Sequence, residues 1–218
     1  MNEKEFAIAQ ISSLFLALTS RQKAQLSQLG DLYLEWNSKI NLISRKDINN
    51  IYPHHILHSV GVVSLIRFAP STRIMDAGTG GGFPGIPLAI LFPECHFYLV
   101  DSIKKKIAVC QDIVGQLGLA NVTCVNSRVE SCNCPCHFVV SRAAMPLQQL
   151  VDYTKKWILR DSFNALPNGL LALKGGNLEG EIAFAKNKVM VEPLEQLFPM
   201  PYYEDKKVVY LPIVGFKN

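Results

Sequence analysis

The run Asp76-Ala-Gly78-Thr-Gly80-Gly-Gly82-Phe-Pro-Gly85 limits what this chain can fold into more than any other stretch. Glycine reaches backbone dihedrals closed to other residues and lets a ligand approach the main chain with no Cβ in the way. An apolar run at 74–77 precedes it, and Pro84 suits the first turn of a following helix, where a missing N–H is harmless. Strand, glycine turn and helix in that order put the turn at the carboxyl edge of a doubly wound sheet, where ligands bind. From Arg73 onward, short apolar runs alternate with helical segments, as in βαβ units around a parallel sheet. Residues 97–101, 122–125, 138–141 and 170–174 read as the second to fifth strands. Two more, near Val189 and over 208–214, complete seven, although Pro193, Pro199, Pro201 and Pro212 blur their limits. The expected fold is α/β, a Rossmann-like, mostly parallel sheet.

Residues 1–69 carry helical periodicity instead. Leu26, Leu29, Tyr33 and Trp36 recur at three- and four-residue steps after a candidate cap at Ser20. We expect a helical extension over 1–69 and one compact catalytic unit over 70–218, since no Gly-, Ser- or Pro-rich linker divides the chain. With 49% hydrophobic and 18% charged residues there is enough apolar surface for a core. The net charge of +4 permits a polyanionic partner without demonstrating one. Acids among the first five residues argue against a secretory leader, the apolar run at 14–18 is too short for one, and no stretch approaches a membrane span. A cytoplasmic enzyme is expected, with Cys95, Cys110, Cys124, Cys132, Cys134 and Cys136 as thiols.

The string Gly80-x-Gly82-x-x-Gly85 also fits the dinucleotide fingerprint, so other residues must decide the cofactor. Asp76 closes the first strand, before the glycines, and Asp101 closes the second, where a carboxylate can accept from both hydroxyls of a ribose. Asp-x-Gly-x-Gly-x-Gly resembles the first motif of class I methyltransferases, whose cofactor, S-adenosylmethionine, has a ribose and an amino-acid tail but no pyrophosphate. That resemblance assigns Asp76, Gly78, Thr79, Gly80, Gly82, Phe83, Asp101 and Ser102 to the cofactor. By analogy the loop Ser127-Arg128-Val129-Glu130 after the third strand holds the adenine, and Arg142 borders the same site.

Trp36-Asn-x-x-x-Asn41-Leu, His55-Ile-Leu-x-Ser59, the 76–89 run, Leu99-Val-Asp-Ser102, Ser127-Arg128-Val-Glu, Val140-Ser141-Arg142-Ala143 and Ala172-Leu-Lys174-Gly175 occur in collinear order. Together they resemble the RsmG (GidB) family, and the likeness runs from about Leu26 to Gly175. The resemblance implies methylation of guanine N7 in 16S ribosomal RNA, on naked RNA or on the small ribosomal subunit. N7 carries a lone pair and no proton, so attack on a sulfonium methyl requires alignment and electrostatic control but no general base. Ser141-Arg-Ala-Ala-Met-Pro146 stands where exocyclic-amine enzymes carry an Asp/Asn-Pro-Pro-aromatic motif. Pro135-Cys136 precedes the fourth strand, on the wrong side for a cytosine-C5 nucleophile.

Arg142 and Lys174, at the ends of the fourth and fifth strands, are the expected catalytic cations. They would orient the base through phosphates or guanine O6, with Arg128 acting likewise. Asn41 and His55 match family positions near the site, and Lys206 stands, with Lys207, where an arginine is usual. Lys39, Arg45, Lys46, His54, His58, Arg67 and Lys104 to Lys106 are candidates for a phosphate-binding rim. Three departures stand out: His58 replaces an acid, Gly81 and Phe83 replace proline and leucine, and Lys206 and Lys207 replace that arginine. Cys132-Asn-Cys134-Pro-Cys136-His137 has a metal flavour, but single-residue spacing hinders closing one tetrahedron, so no metal is expected. The rival readings are a small-molecule methyltransferase, an NAD-linked oxidoreductase and a non-catalytic RNA-binding assembly factor.

Overall fold

The computed structural model describes residues 2–213 except Arg45, and for Lys186 and Asn187 the backbone only. Seven strands form one sheet: β1 Arg73–Ala77, β2 His96–Asp101, β3 Val122–Asn126, β4 Phe138–Arg142, β5 Gly169–Gly175, β6 Met190–Pro193 and β7 Lys206–Pro212. Their order is β3-β2-β1-β4-β5-β7-β6, with β7 antiparallel to both neighbours and every other pairing parallel. The order reverses at β1/β4, the switch point where a doubly wound sheet opens a crevice. Asp76 stands one residue inside the end of β1, Arg142 is the last residue of β4, and β5 runs one residue past Lys174. The last strand closes at Pro212, short of the expected 214, which lies outside the described residues.

Parallel strands covered on both faces read as continuous apolar runs, as β4 and β5 do. On one face, helix α1 (Glu3–Leu14) and helix α2 (Ser20–Lys39) pack with the helix after β1 (Gly85–Leu91, α4) and the helix after β2 (Lys104–Gln116, α5). Between α2 and β1 runs an irregular helical stretch, π-helical over Ile51–Leu57, continued by α3 (His58–Val60) and a 3₁₀ turn at Gly61–Ser64. Ala7, Ile11, Leu26, Leu29 and Ile56 share one core with Leu88, Phe97 and Phe138, so the extension is a layer built onto the sheet. The cap of α2 is Thr19, not Ser20: Thr19 and Gln22 form a reciprocal capping box that satisfies two free helix-end groups. The opposite face carries α6 (Leu147–Thr154) and α7 (Glu179–Ile182) over Met75, Val139 and Ala172.

Candidate active site

Asp76 lies fully buried beneath the glycine turn. Its Oδ2 accepts from the Thr79 hydroxyl at 2.6 Å and from the Gly85 amide at 2.8 Å, so one oxygen ties both ends of the turn. Oδ1 is buried with no partner. Burial pushes the carboxyl up to about 7 despite the opposing pull of those two hydrogen bonds. At Gly85 any Cβ would run into Leu99 and stand 2.7 Å from Asp76 Oδ2, so close packing of helix on strand requires glycine here. Over Gly80, at φ +58°, a Cβ would meet nothing within 4 Å, and the main chain is open to a ligand.

Asp101 closes β2 and is 7% exposed. Oδ2 accepts from the Gly80 amide at 3.0 Å and Oδ1 from the Ile103 amide at 2.8 Å. A carboxylate offers about four acceptor positions, so both oxygens retain lone pairs for a sugar. The residue borders a cleft of about 380 Å³ together with Gly78, Ser102, Arg128, Val129 and Glu130, all expected at the cofactor. Thr79 and Phe83 do not line it. Thr79 is bound to Asp76, and Phe83 is 4% exposed, stacked on Tyr33 with ring centroids 4.4 Å apart. At Gly82 a side chain would collide with Ile86. These three frame the turn from below. Tyr33, from the helical layer, completes the frame by donating to the Gly81 carbonyl at 2.6 Å.

A second cleft, of about 970 Å³, is lined by His55, His58, Arg142, Lys174, Glu181, Tyr202 and Lys206. Met145 borders both clefts, so the segment 143–145 is the wall between them. Arg142 lays its guanidinium 4.8 Å from the Phe83 ring centre and donates to the His54 carbonyl at 3.4 Å. Among the described residues no carboxylate lies within ion-pair distance of it. Burial lowers its pKa, yet a guanidinium stays charged. A desolvated cation without a counter-ion, beside a roomy cleft, is suited to an anion or a carbonyl oxygen.

Lys174 lines the larger cleft, as its strand position suggested, but its ammonium is already engaged. Its Nζ donates to Glu181 at 2.5 Å and to the Met145 carbonyl at 2.8 Å, bracing the wall between the clefts. His55 and His54 share one acid: His55 Nε2 lies 2.6 Å from Asp47 Oδ2 and His54 Nδ1 lies 2.5 Å from Oδ1. Asp47 therefore brings an acid to the histidine motif from outside it. Burial, reinforced by Arg142, pulls His55 down to about 4 and His58 to about 3, so both rings are neutral at pH 7. Lys206 sits 4.9 Å from the Tyr202 ring centre and pairs with Asp205, whereas Lys207 turns to the Gly176 carbonyl.

Several expected positions fall elsewhere. Asn41 is exposed and lines neither cleft; Arg128 borders only the smaller one. The phosphate rim is reduced as well. Lys39 pairs with Glu35, Arg67 donates to the Leu14 carbonyl, His58 is buried, and Arg45 lies outside the described residues. All six cysteines are free, and no group of three metal-ligating side chains occurs among the described residues. Asp47, Glu181 and Tyr202 escaped the sequence reading, and Tyr33 entered it only as part of a helical repeat. The one local signal among them was Glu181, an acid placed seven residues beyond the cleft lysine.

Residues 22–208 match the family model GidB, described as rRNA small subunit methyltransferase G. "Ribosomal RNA small subunit methyltransferase G" of Parabacteroides distasonis is 54% identical over 203 residues, covering 93% of this chain and 88% of its own. The protein of the same name from Phocaeicola vulgatus is also 54% identical, with 92% and 96% covered. Among solved structures, a SAM-dependent methyltransferase from Aquifex aeolicus superposes with a TM-score of 0.53 at 15% identity, covering 70% of this chain and 88% of that one. That last likeness concerns the fold alone.

Proposed function

We propose that the chain, which belongs to the GidB family of rRNA small subunit methyltransferases, methylates N7 of a guanine in 16S ribosomal RNA with S-adenosylmethionine as donor. The observation that carries this reading is the pair of adjoining clefts with one shared wall at Met145: the smaller bears a ribose-type carboxylate, the larger an unpaired arginine. The smaller cleft fits the donor. Asp101 meets the sugar hydroxyls, Val129 and Glu130 border the adenine, and Gly78 borders the methionine end, with the buried acid Asp76 holding the glycine turn from beneath. When bound, S-adenosylmethionine supplies an electrophilic methyl group on a sulfonium.

The chain's own part is to bind, orient and exclude water. Guanine N7 brings its own lone pair, so no side chain has a proton to remove. Arg142 donates to O6 or to the adjoining phosphate and so fixes the face the base presents. Lys174 acts at one remove, as the brace of Met145. The test is incubation of purified protein with radiolabelled S-adenosylmethionine and 16S ribosomal RNA, free or in the small subunit. The label should appear in a single 7-methylguanosine after nuclease digestion; label in another nucleoside, or none, contradicts the reading. Among the described residues no helix is long and apolar enough to cross a membrane.

A further inference from the structure

N7 alone cannot select guanine, because adenine presents the same N7 acceptor on the same edge. What separates the two purines is O6 with N1–H and the N2 amino group on guanine, against an amino group and a bare N1 lone pair on adenine. A base seated with N7 toward the smaller cleft turns its N1–H and N2–H donors toward the walls of the larger one. Once they lose water there, these donors require an acceptor, and leaving them unpaired is costly. Among the residues lining the larger cleft, Arg142, Lys174 and Lys206 only donate, and Glu181 is the one carboxylate.

Glu181 is held unusually firmly for a side chain on a short helix. Its Oε1 accepts from Lys174 Nζ at 2.5 Å and from the Leu147 amide at 2.7 Å. Its Oε2 takes no hydrogen bond among the described residues, and the side chain stays 25% exposed, toward the cleft it lines. Lysine and amide thus fix the carboxylate's orientation, leaving one oxygen available. Resting on the guanine-N7 reading above, we infer that Glu181 is the specificity-determining residue for the base: its carboxylate accepts from guanine N1–H and N2–H, while Arg142 meets O6. Adenine, turning an N1 lone pair to the same carboxylate, is repelled. Sites built to pair a polar group reject an analogue lacking it far more strongly than apolar pockets do.

The test couples Glu181→Gln to removal of the N2 amino group. Once the methylated guanine is mapped, 16S ribosomal RNA is ligated with either guanosine or inosine at that position, and kcat/KM is measured for wild type and variant. Gln keeps an acceptor for the Leu147 amide, and calorimetry with S-adenosylmethionine checks that the smaller cleft is intact. Wild type should lose about 10-fold or more on inosine, the variant about 10- to 100-fold on guanosine, and the variant should then tell guanosine from inosine by no more than about 2-fold. A merely structural role for Glu181 would lower both substrates alike, and an equal inosine penalty in variant and wild type overturns the assignment. Failure of wild type to methylate the guanosine RNA overturns the guanine-N7 reading and this inference with it; the equal penalty overturns Glu181 alone.

Discussion

Asp76→Asn removes one buried titratable group while leaving an oxygen for Thr79 and Gly85. The carboxyl titrates near 7 in the fold instead of at its ordinary 3.8 because burial disfavours the charged form. A raised folded pKa means that the folded chain keeps its proton while the unfolded chain has released it. The stabilisation is therefore complete below about pH 3.8 and is lost as pH rises through about 7. The difference between these values corresponds to on the order of 4 kcal/mol between acid and pH 8. Asparagine does not titrate. Its amide nitrogen would stand where Oδ1 now lacks a partner, an offset of about 1–3 kcal/mol that does not vary with pH. Urea unfolding of both proteins at pH 4, 6 and 8 isolates the effect, because every other group is common to the two. Wild type should lose ground to the variant by about 4 kcal/mol between pH 4 and pH 8, within a factor of two. A stability difference that stays flat across that range would refute the claim that Asp76 is a strained, buried acid.

Other perturbations follow from the same geometry. Asp101→Ala should weaken S-adenosylmethionine binding by about 10-fold or more in calorimetry, since it removes the sugar acceptor and also frees the Gly80 and Ile103 amides; unchanged affinity would remove Asp101 from the site. Arg142→Ala should spare donor affinity while lowering RNA methylation by about 100-fold, and activity equal to wild type would exclude Arg142. Gly85→Ala should cost about 1–3 kcal/mol in urea unfolding, because the added methyl meets Leu99 and Asp76; a neutral change would mean the turn is looser than described.

The fold was legible because its signals are local. The strands alternate with helical segments in the sequence, and the glycine run marks the turn after β1 by chain geometry alone. Asp101, Ser102, Val129 and Glu130 could be placed because each ends a strand or follows one, and strand ends meet at one edge of the sheet. Residues whose roles depend on long-range contacts were not legible. Tyr33 reaches Gly81 across 48 positions, and nothing in the periodicity of α2 separates it from an ordinary core residue. Asp47 sits in an irregular stretch, so no repeat foretold that its two oxygens would take His54 and His55. Lys174 shows the opposite failure: its place at the cleft was right, but the lysine is engaged by Glu181 and the Met145 carbonyl, which strand position alone does not reveal. Thr79 and Phe83 share a motif with true cleft residues but point beneath the turn, a distinction that requires the backbone path.

The central claim, that these two clefts bring a methyl donor to guanine N7 of the small-subunit RNA, is tested most directly in cells. Ribosomal RNA from strains with and without the gene is digested and compared by mass spectrometry. One 7-methylguanosine should vanish from 16S RNA in the deletion strain and return with the wild-type gene, but not with the Arg142→Ala variant. An unchanged inventory of methylated nucleosides, or loss of a methyl group from any atom other than a guanine N7, would contradict the account.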